Sequence, residues 1–191
     1  DPRPDSETIV EAVLGIARGM SDRLRVLDVG TGTGCLLLSV LKALPKARGV
    51  GTEIDPDAAA CAARNTEALG LSDRAEIVCS RWVEGIAGPF DIIFSNPPYI
   101  PTSEIRRLAP EVAFYEPVGA IDGGADGLDA YRILAELLVN LLSPSGKVVF
   151  EIGAQQGNSV SAIFCAAGFS VVGRHKDLAG RERALIFSRI R

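Results

Sequence analysis

Three features of this sequence predict a doubly wound α/β fold: a seven-stranded, mainly parallel sheet with helices on both faces. First, short apolar runs alternate with segments of helical periodicity through most of the 191 residues, the pattern of βα units laid onto a parallel sheet. Second, Gly30-Thr31-Gly32-Thr33-Gly34 joins the first of those runs to the helix that follows it. Third, the last two runs, 169–174 and 183–188, follow each other without a helix between them, so the final strand is expected to run antiparallel. The sequence holds no internal repeat, and its length suits one domain over residues 1–191, with 1–20 as a leading helix.

The elements are expected in the following order. Asp5 or Ser6 caps a first helix, with Ile9, Val10, Val13, Leu14 and Ala17 at helical spacing and Gly19 closing it. Residues 25–30 form a strand, and the glycine turn leads into a helix from Cys35 to Leu44, stopped by Pro45. Residues 48–53 form a second strand ending on Glu53. Asp55-Pro56 then starts a helix over 57–69, which Gly70 stops. Strands at 75–79 and 90–95 follow. The stretch 100–127, with its prolines and Asp122-Gly123-Gly124-Ala125-Asp126-Gly127, is too long for a simple connection and is expected to border a site. A helix is predicted over 128–142, stopped by Ser143-Pro144-Ser145-Gly146. After it come a strand at 147–152, a helix over 158–167 closed by Gly168, and the closing pair of strands.

Composition excludes several classes of function. With 47% hydrophobic and 23% charged residues the chain is ordinary globular, and its net charge of −4 provides no global field for nucleic acid. Cys35, Cys61, Cys79 and Cys165 lack a CxxC pattern and sit in apolar stretches, so buried free thiols in a reducing cytosol are expected. A single histidine, His175, speaks against a His-rich metal site and a Ser-His-Asp triad, so no metal is expected. No run approaches the ~18 apolar residues of a membrane span. The opening Asp1-Pro2-Arg3-Pro4-Asp5 has neither a signal-peptide pattern nor a methionine, so a cytoplasmic location and a missing preceding segment are expected.

Two stretches carry chemistry. The glycine turn Gly30 to Gly34 lets a ligand approach the backbone without interference from a Cβ, close to helix N–H groups. The dinucleotide pattern G-x-G-x-x-G is not met, because the third glycine position is apolar. Asp28, two residues ahead of the turn, would repel a pyrophosphate and favour an ammonium, such as that of the methionine part of S-adenosylmethionine. Glu53 ends the next strand, where an acid can accept both ribose hydroxyls; Ile54 follows it. A plain βα turn and a solvated strand-end carboxylate are the alternatives, and the two features together favour a nucleoside ligand.

The second stretch is Phe90-Asp91-Ile92-Ile93-Phe94-Ser95 running into Asn96-Pro97-Pro98-Tyr99. Two prolines in series end the ladder and hold the residue before each one extended. The Asn96 side-chain oxygen and the Pro97 carbonyl can accept from the two N–H bonds of an amide or exocyclic amine. That would aim its nitrogen at a methyl group and stabilise the positive charge that develops. Tyr99 would pack on the flat substrate group. The competing reading is a strand-terminating turn with a capping Asn.

Taken together these residues resemble a Rossmann-like class I S-adenosylmethionine-dependent methyltransferase, specifically the release-factor glutamine N5-methyltransferases (the HemK/PrmC family). The matching pieces run over nearly the whole chain: Pro2-Arg3-Pro4-Asp5-Ser6-Glu7, 26–34, Asn96-Pro97-Pro98-Tyr99-Ile100-Pro101, Glu116-Pro117, 123–129, Glu151-Ile152-Gly153 and 177–183. The resemblance implies methylation of the glutamine amide in the Gly-Gly-Gln motif of peptide chain release factors. It implies that Asp28, the turn Gly30-Thr31-Gly32-Thr33-Gly34, Glu53, Ile54 and Asn96 bind S-adenosylmethionine, that Trp82 walls the adenine, and that Asn96 to Tyr99 hold the glutamine. Plain core packing is the other reading of Trp82. The family usually has an Asp before this Trp; here the residue is Arg81. The family also carries a small helical N-terminal docking domain, which these 191 residues do not include.

Asn-Pro-Pro-Tyr alone also marks methyltransferases acting on exocyclic amines of rRNA, tRNA or DNA. The acidic charge speaks against direct nucleic-acid binding, as does a 100–127 stretch whose cations are Arg106 and Arg107. A non-catalytic cofactor-binding subunit would have no need of an intact Asn-Pro-Pro-Tyr.

Overall fold

A computed structural model of the protein describes residues 4–106, 118–177 and 179–190. Among them the strands are β1 (Arg25–Val29), β2 (Arg48–Glu53), β3 (Ala75–Cys79), β4 (Phe90–Ser95), β5 (Leu142–Glu151), β6 (Phe169–Lys176) and β7 (Glu182–Arg189). The helices are α1 (Pro4–Ala17), α2 (Cys35–Ala43), α3 (Pro56–Ala68), α4 (Thr102–Ile105), α5 (Val118–Ile121), α6 (Asp129–Leu137) and α7 (Gly157–Ala166). All seven strands form one sheet in the order β3-β2-β1-β4-β5-β7-β6. The pairs from β3 through β5 are parallel, and β7 runs antiparallel to both β5 and β6, as the closing hairpin predicts.

The strands read as continuous apolar runs because both faces of the sheet are covered. On one face Val26, Ile92, Phe94 and Val149 pack against Ile9 and Val13 of α1 and Leu37 and Leu41 of α2. On the other, Leu27, Val29, Ile93, Val148 and Phe150 meet Tyr131 and Leu134 of α6 and Val160 and Phe164 of α7. That second core is aromatic, with the Phe164 ring 4.9 Å from Phe150 and 4.6 Å from Phe187, centroid to centroid.

The chain reverses its direction of sheet growth at β1. From there it winds outward to β2 and β3, then returns to lay β4 on the opposite side of β1. The carboxyl ends of β1 and β4 therefore flank the topological switch point, where open α/β sheets bind ligands. The Ser95 hydroxyl donates to the Val29 carbonyl at 2.6 Å and ties the two ends together inside the protein.

Four expectations need correction. The first helix begins at Pro4, so Asp5 and Ser6 lie within its first turn, not ahead of it; proline suits a first turn, where its missing N–H leaves no bond unmade. The apolar run 128–142 is not one helix. It comprises α6, a 3₁₀ turn at Leu138–Asn140 and the first residue of β5. Leu142 pairs with Phe90, whose N–H donates to the Leu141 carbonyl at 2.7 Å, and a register irregularity before Ile92 absorbs Ser143 to Gly146 into the strand. Periodicity within the run cannot reveal a partner 50 residues away. The same strand stops at Glu151, one residue before Ile152. Finally, the four cysteines are free as expected but not buried: Cys35, Cys79 and Cys165 are exposed and Cys61 is half-exposed. Their apolar neighbours take the inward positions of each element. Asp55 does cap α3, accepting from the Asp57 N–H at 2.8 Å, and Gly70 terminates it with φ +66°. Among the described residues no helix is long and apolar enough to cross a membrane.

Candidate active site

The glycine turn leaves β1 and folds over its own carboxyl end. Thr31 N–H donates to the Thr52 carbonyl at 2.8 Å, and Gly34 N–H closes the turn onto the Thr31 carbonyl at 2.9 Å. Gly30 and Gly32 take left-handed backbone angles, φ +73° and +57°, and an added Cβ at either would meet nothing within 4 Å. The result is a bare backbone shelf open on its outer side, the shape a ligand needs to reach main-chain groups directly. Asn65 of α3 braces the shelf from beneath, its amide donating to the Thr33 carbonyl at 2.9 Å.

Glu53 stands at the rim, half-buried at the end of β2. One carboxylate oxygen accepts the Gly32 N–H at 2.8 Å and the other the Asp55 N–H at 3.0 Å. Each oxygen keeps a second lone pair for a ligand hydroxyl. Ile54, next in the chain, is 64% exposed. Ser80 N–H donates to the Glu53 carbonyl at 2.8 Å, drawing the segment after β3 against this rim. Two residues on, Trp82 is half-buried against the aromatic core with φ +51°, a sparsely populated conformation for a bulky residue. Arg81 beside it is exposed.

Asp28 lies under the shelf and is fully buried. Its Oδ2 accepts the Thr31 hydroxyl at 2.7 Å, while its buried Oδ1 has no partner in hydrogen-bond geometry among the described residues. Burial raises its pKa to about 7. The Thr31 hydroxyl and Leu37 amide oppose that rise, and the Glu53 charge adds to it. The acid that the sequence expects to favour an ammonium is thus buried at the turn and bonded to it through Thr31.

Across the switch point, β4 delivers Asn96 half-buried, Pro97 buried, and Pro98 and Tyr99 half-buried. Among the described residues no hydrogen bond engages the Asn96 amide. Tyr99 is held at several points: its ring backs onto the aromatic core, its hydroxyl donates to Glu151 Oε1 at 3.3 Å, and its carbonyl accepts from the Gln156 amide at 2.9 Å. Beyond it, Ile100 bridges to Asp122, donating to the Ile121 carbonyl at 3.1 Å and accepting the Gly123 N–H at 2.9 Å. The part of the 100–127 stretch that is described thus forms the floor behind Asn96 to Tyr99, with Asp122 Oδ1 accepting from Thr102 and from the Gly124 N–H. Of the motif residues, Pro2, Arg3, Glu116, Pro117 and Leu178, together with the loop cation Arg107, lie outside the described residues.

The two halves read from sequence therefore share one sheet edge. Residue-level reasoning missed the supports: Gln156, Asp122 and the buried Glu151. The cluster 122–127 contains Asp122 and the family-like string 151–153 contains Glu151, but no sequence signal covers Gln156, since its contacts lie with partners distant in the chain.

The comparisons with known proteins agree with this geometry. A family model described as "Methyltransferase small domain" matches residues 14–112. The release factor glutamine methyltransferase of Rhodospirillum rubrum is 48% identical over 189 residues, covering 99% of this chain and 58% of that protein. The one from Agrobacterium fabrum is 44% identical over 192 residues, covering 99% of this chain and 66% of that protein. Among solved structures, the protein-(glutamine-N5) methyltransferase (release factor-specific) of Alicyclobacillus acidocaldarius superposes with a TM-score of 0.59 at 29% identity, covering 100% of this chain and 94% of that one. The chain spans about three-fifths of the length of the curated relatives it matches.

Proposed function

We infer from these matches that the chain, a member of the methyltransferase small domain family, falls in the branch of the release factor glutamine methyltransferases. From that premise we propose that it transfers a methyl group from S-adenosylmethionine to the side-chain amide nitrogen of the glutamine in the Gly-Gly-Gln motif of a peptide chain release factor, in the cytoplasm. The observation that carries this reading is the placement of a bare glycine shelf with its rim carboxylate beside Asn96-Pro97-Pro98-Tyr99 at the switch point.

The residues fit the cofactor. Gly30 and Gly32 offer open backbone, Glu53 offers two oxygens with spare lone pairs, and Ile54 and Trp82 offer apolar surface for a base. When bound, S-adenosylmethionine supplies an electrophilic methyl group on a sulfonium. The protein's own work is then orientation. A glutamine amide nitrogen is a poor nucleophile because its lone pair is delocalised into the carbonyl. The Asn96 oxygen and the Pro97 carbonyl accept its two N–H bonds, fix the plane of the group and oppose the positive charge that grows on nitrogen. As the N–C bond forms the S–C bond would break and the sulfonium would leave as the neutral thioether S-adenosylhomocysteine, and one of those two protons would then pass to solvent water. Tyr99, with its hydroxyl on Glu151, packs its ring beside the amide.

The test is transfer of labelled methyl from S-adenosylmethionine to a purified release factor by the natural full-length protein. A second release factor, with its motif glutamine replaced by glutamate, runs beside it. Label on the first and none on the second is expected. Label on neither, with cofactor binding intact, overturns the substrate and turns the search to exocyclic amines of nucleic acids.

Glu53→Ala is expected to weaken S-adenosylmethionine binding by ~1–3 kcal/mol, the range for a hydrogen-bonded charged group. Calorimetric titration measures it, and unchanged affinity would remove Glu53 from the ribose.

A further inference from the structure

We propose that Gln156 is a positioning residue for this methyl transfer: its side-chain amide sets the main chain that follows the catalytic Asn-Pro-Pro-Tyr. The claim rests on the function proposed above and adds a residue outside the motifs that touch ligand or substrate. Gln156 is the N-cap residue of α7, in the turn after β5. A side chain there normally serves its own helix. This one turns away and spans three separate segments. Its Nε2 donates to the Tyr99 carbonyl at 2.9 Å and to the Gly127 carbonyl at 3.1 Å, while its Oε1 accepts the Gly153 N–H at 3.0 Å. The orientation of the amide follows from chemistry, since two carbonyls require the nitrogen and one N–H requires the oxygen.

The surroundings are built for this contact. Gly127 has φ +76°, and a Cβ there would stand 2.3 Å from the Tyr99 carbonyl oxygen and 2.8 Å from Gln156 Nε2. Only glycine lets the two strips of main chain approach closely enough to share one amide. The Tyr99–Ile100 peptide is consequently fixed at its oxygen by Gln156 and at its nitrogen by the Ile121 carbonyl. With Pro97 and Pro98 stiff on the other side, little freedom remains between the end of β4 and that peptide. Asn96 and the Pro97 carbonyl then meet the substrate nitrogen in one geometry, and a misplacement of about 1 Å can cost ~10²-fold in rate.

The deciding variant is Gln156→Glu, which keeps size and the acceptor for Gly153 but turns a carboxylate oxygen toward two carbonyls. The charged neighbours on the adjoining elements are engaged elsewhere: Glu151 with Tyr99, Glu182, which lies against Gly157, with Arg174, Asp126 with Leu128 and Arg132, and Asp129 with Arg132. At pH 9 the variant is expected to show kcat lowered by ~30-fold or more relative to wild type, with S-adenosylmethionine Kd within about threefold. As pH falls to 5.5 the introduced carboxyl takes up a proton, becomes a donor again, and the wild-type to variant ratio of kcat should narrow by ~10-fold. A ratio that stays flat across this range overturns the proposal. If Gln156→Glu does not fold, Gln156→Met decides: kcat lowered ~10-fold or more with Kd for the cofactor held within threefold supports the role, and wild-type kcat sinks it. Wild type assayed on the release factor and its glutamate copy in the same series separates failure of this inference from failure of the reaction itself.

Discussion

Asn96→Ala is expected to lower turnover by more than ~100-fold while leaving S-adenosylmethionine affinity within a few-fold, the signature of lost transition-state positioning. The cofactor shelf is assembled by β1, β2 and α3 through bonds that do not involve Asn96. The cofactor contact assigned to Asn96 is accordingly a minor share of the binding. What alanine removes is one of two acceptors. The Pro97 carbonyl still takes one N–H of the substrate amide, so the glutamine docks but its nitrogen can rotate away from the methyl. Asn96→Asp sharpens the test, because a carboxylate keeps the acceptor and should retain more turnover than alanine. Single-turnover transfer gives the rate, and calorimetry gives the affinity. Equal losses in both would show that Asn96 belongs to the cofactor half, and the separation of roles across the switch point would fail.

Much of this arrangement could be read from the chain because it is local. The strand 25–29, the glycine turn, the helix after it and the acid at the end of the next strand are contiguous signals. Parallel βα units then leave few places for them to go. Asn96-Pro97-Pro98-Tyr99 was equally legible, since proline geometry needs no tertiary context. What could not be read is held by partners far apart in sequence. Gln156 looks like an ordinary residue ahead of a helix until Tyr99 and Gly127 are brought to it from 57 and 29 positions away. The strand start at Leu142 was hidden inside a leucine run because its pairing with Phe90 outweighs helical propensity. The cysteines misled for the opposite reason: an apolar neighbourhood in sequence is shared between the faces of a helix, or of an edge strand such as β3, and not every face is inside.

Asp28→Asn is expected to flatten the dependence of thermal stability on pH between about 4 and 7, and the physical argument begins from the same kind of hidden partner. Asp28 was legible as a carboxylate near a ligand, but its burial beneath the turn was not. In the folded protein its pKa rises from 3.8 to about 7, with burial the leading cause. A carboxyl raised in this way binds its proton more tightly folded than unfolded, so over that window the folded state carries the greater proton load. Stability must then fall as pH rises from about 4 to about 7 and level off above, by roughly 4 kcal/mol in all from this group. Asparagine keeps an oxygen for the Thr31 hydroxyl and has no titration, so the variant should gain on wild type steadily through the window. Thermal unfolding of both proteins at half-unit steps of pH measures it, and parallel curves would show that Asp28 titrates normally. The wild-type residue opposes stability at neutral pH, and the proposed reaction gives a reason to keep it. Its negative charge lies behind the main-chain shelf where the ammonium of S-adenosylmethionine would rest, and a bound cation there pulls the carboxyl back toward ionisation. Cofactor binding near pH 7 should therefore release protons in the wild type and fewer in Asp28→Asn, which titration in buffers of different ionisation enthalpy will detect. A stability deficit that disappears when the ligand arrives belongs to a binding site, whereas one indifferent to the ligand would mark Asp28 as a brace for Thr31 alone.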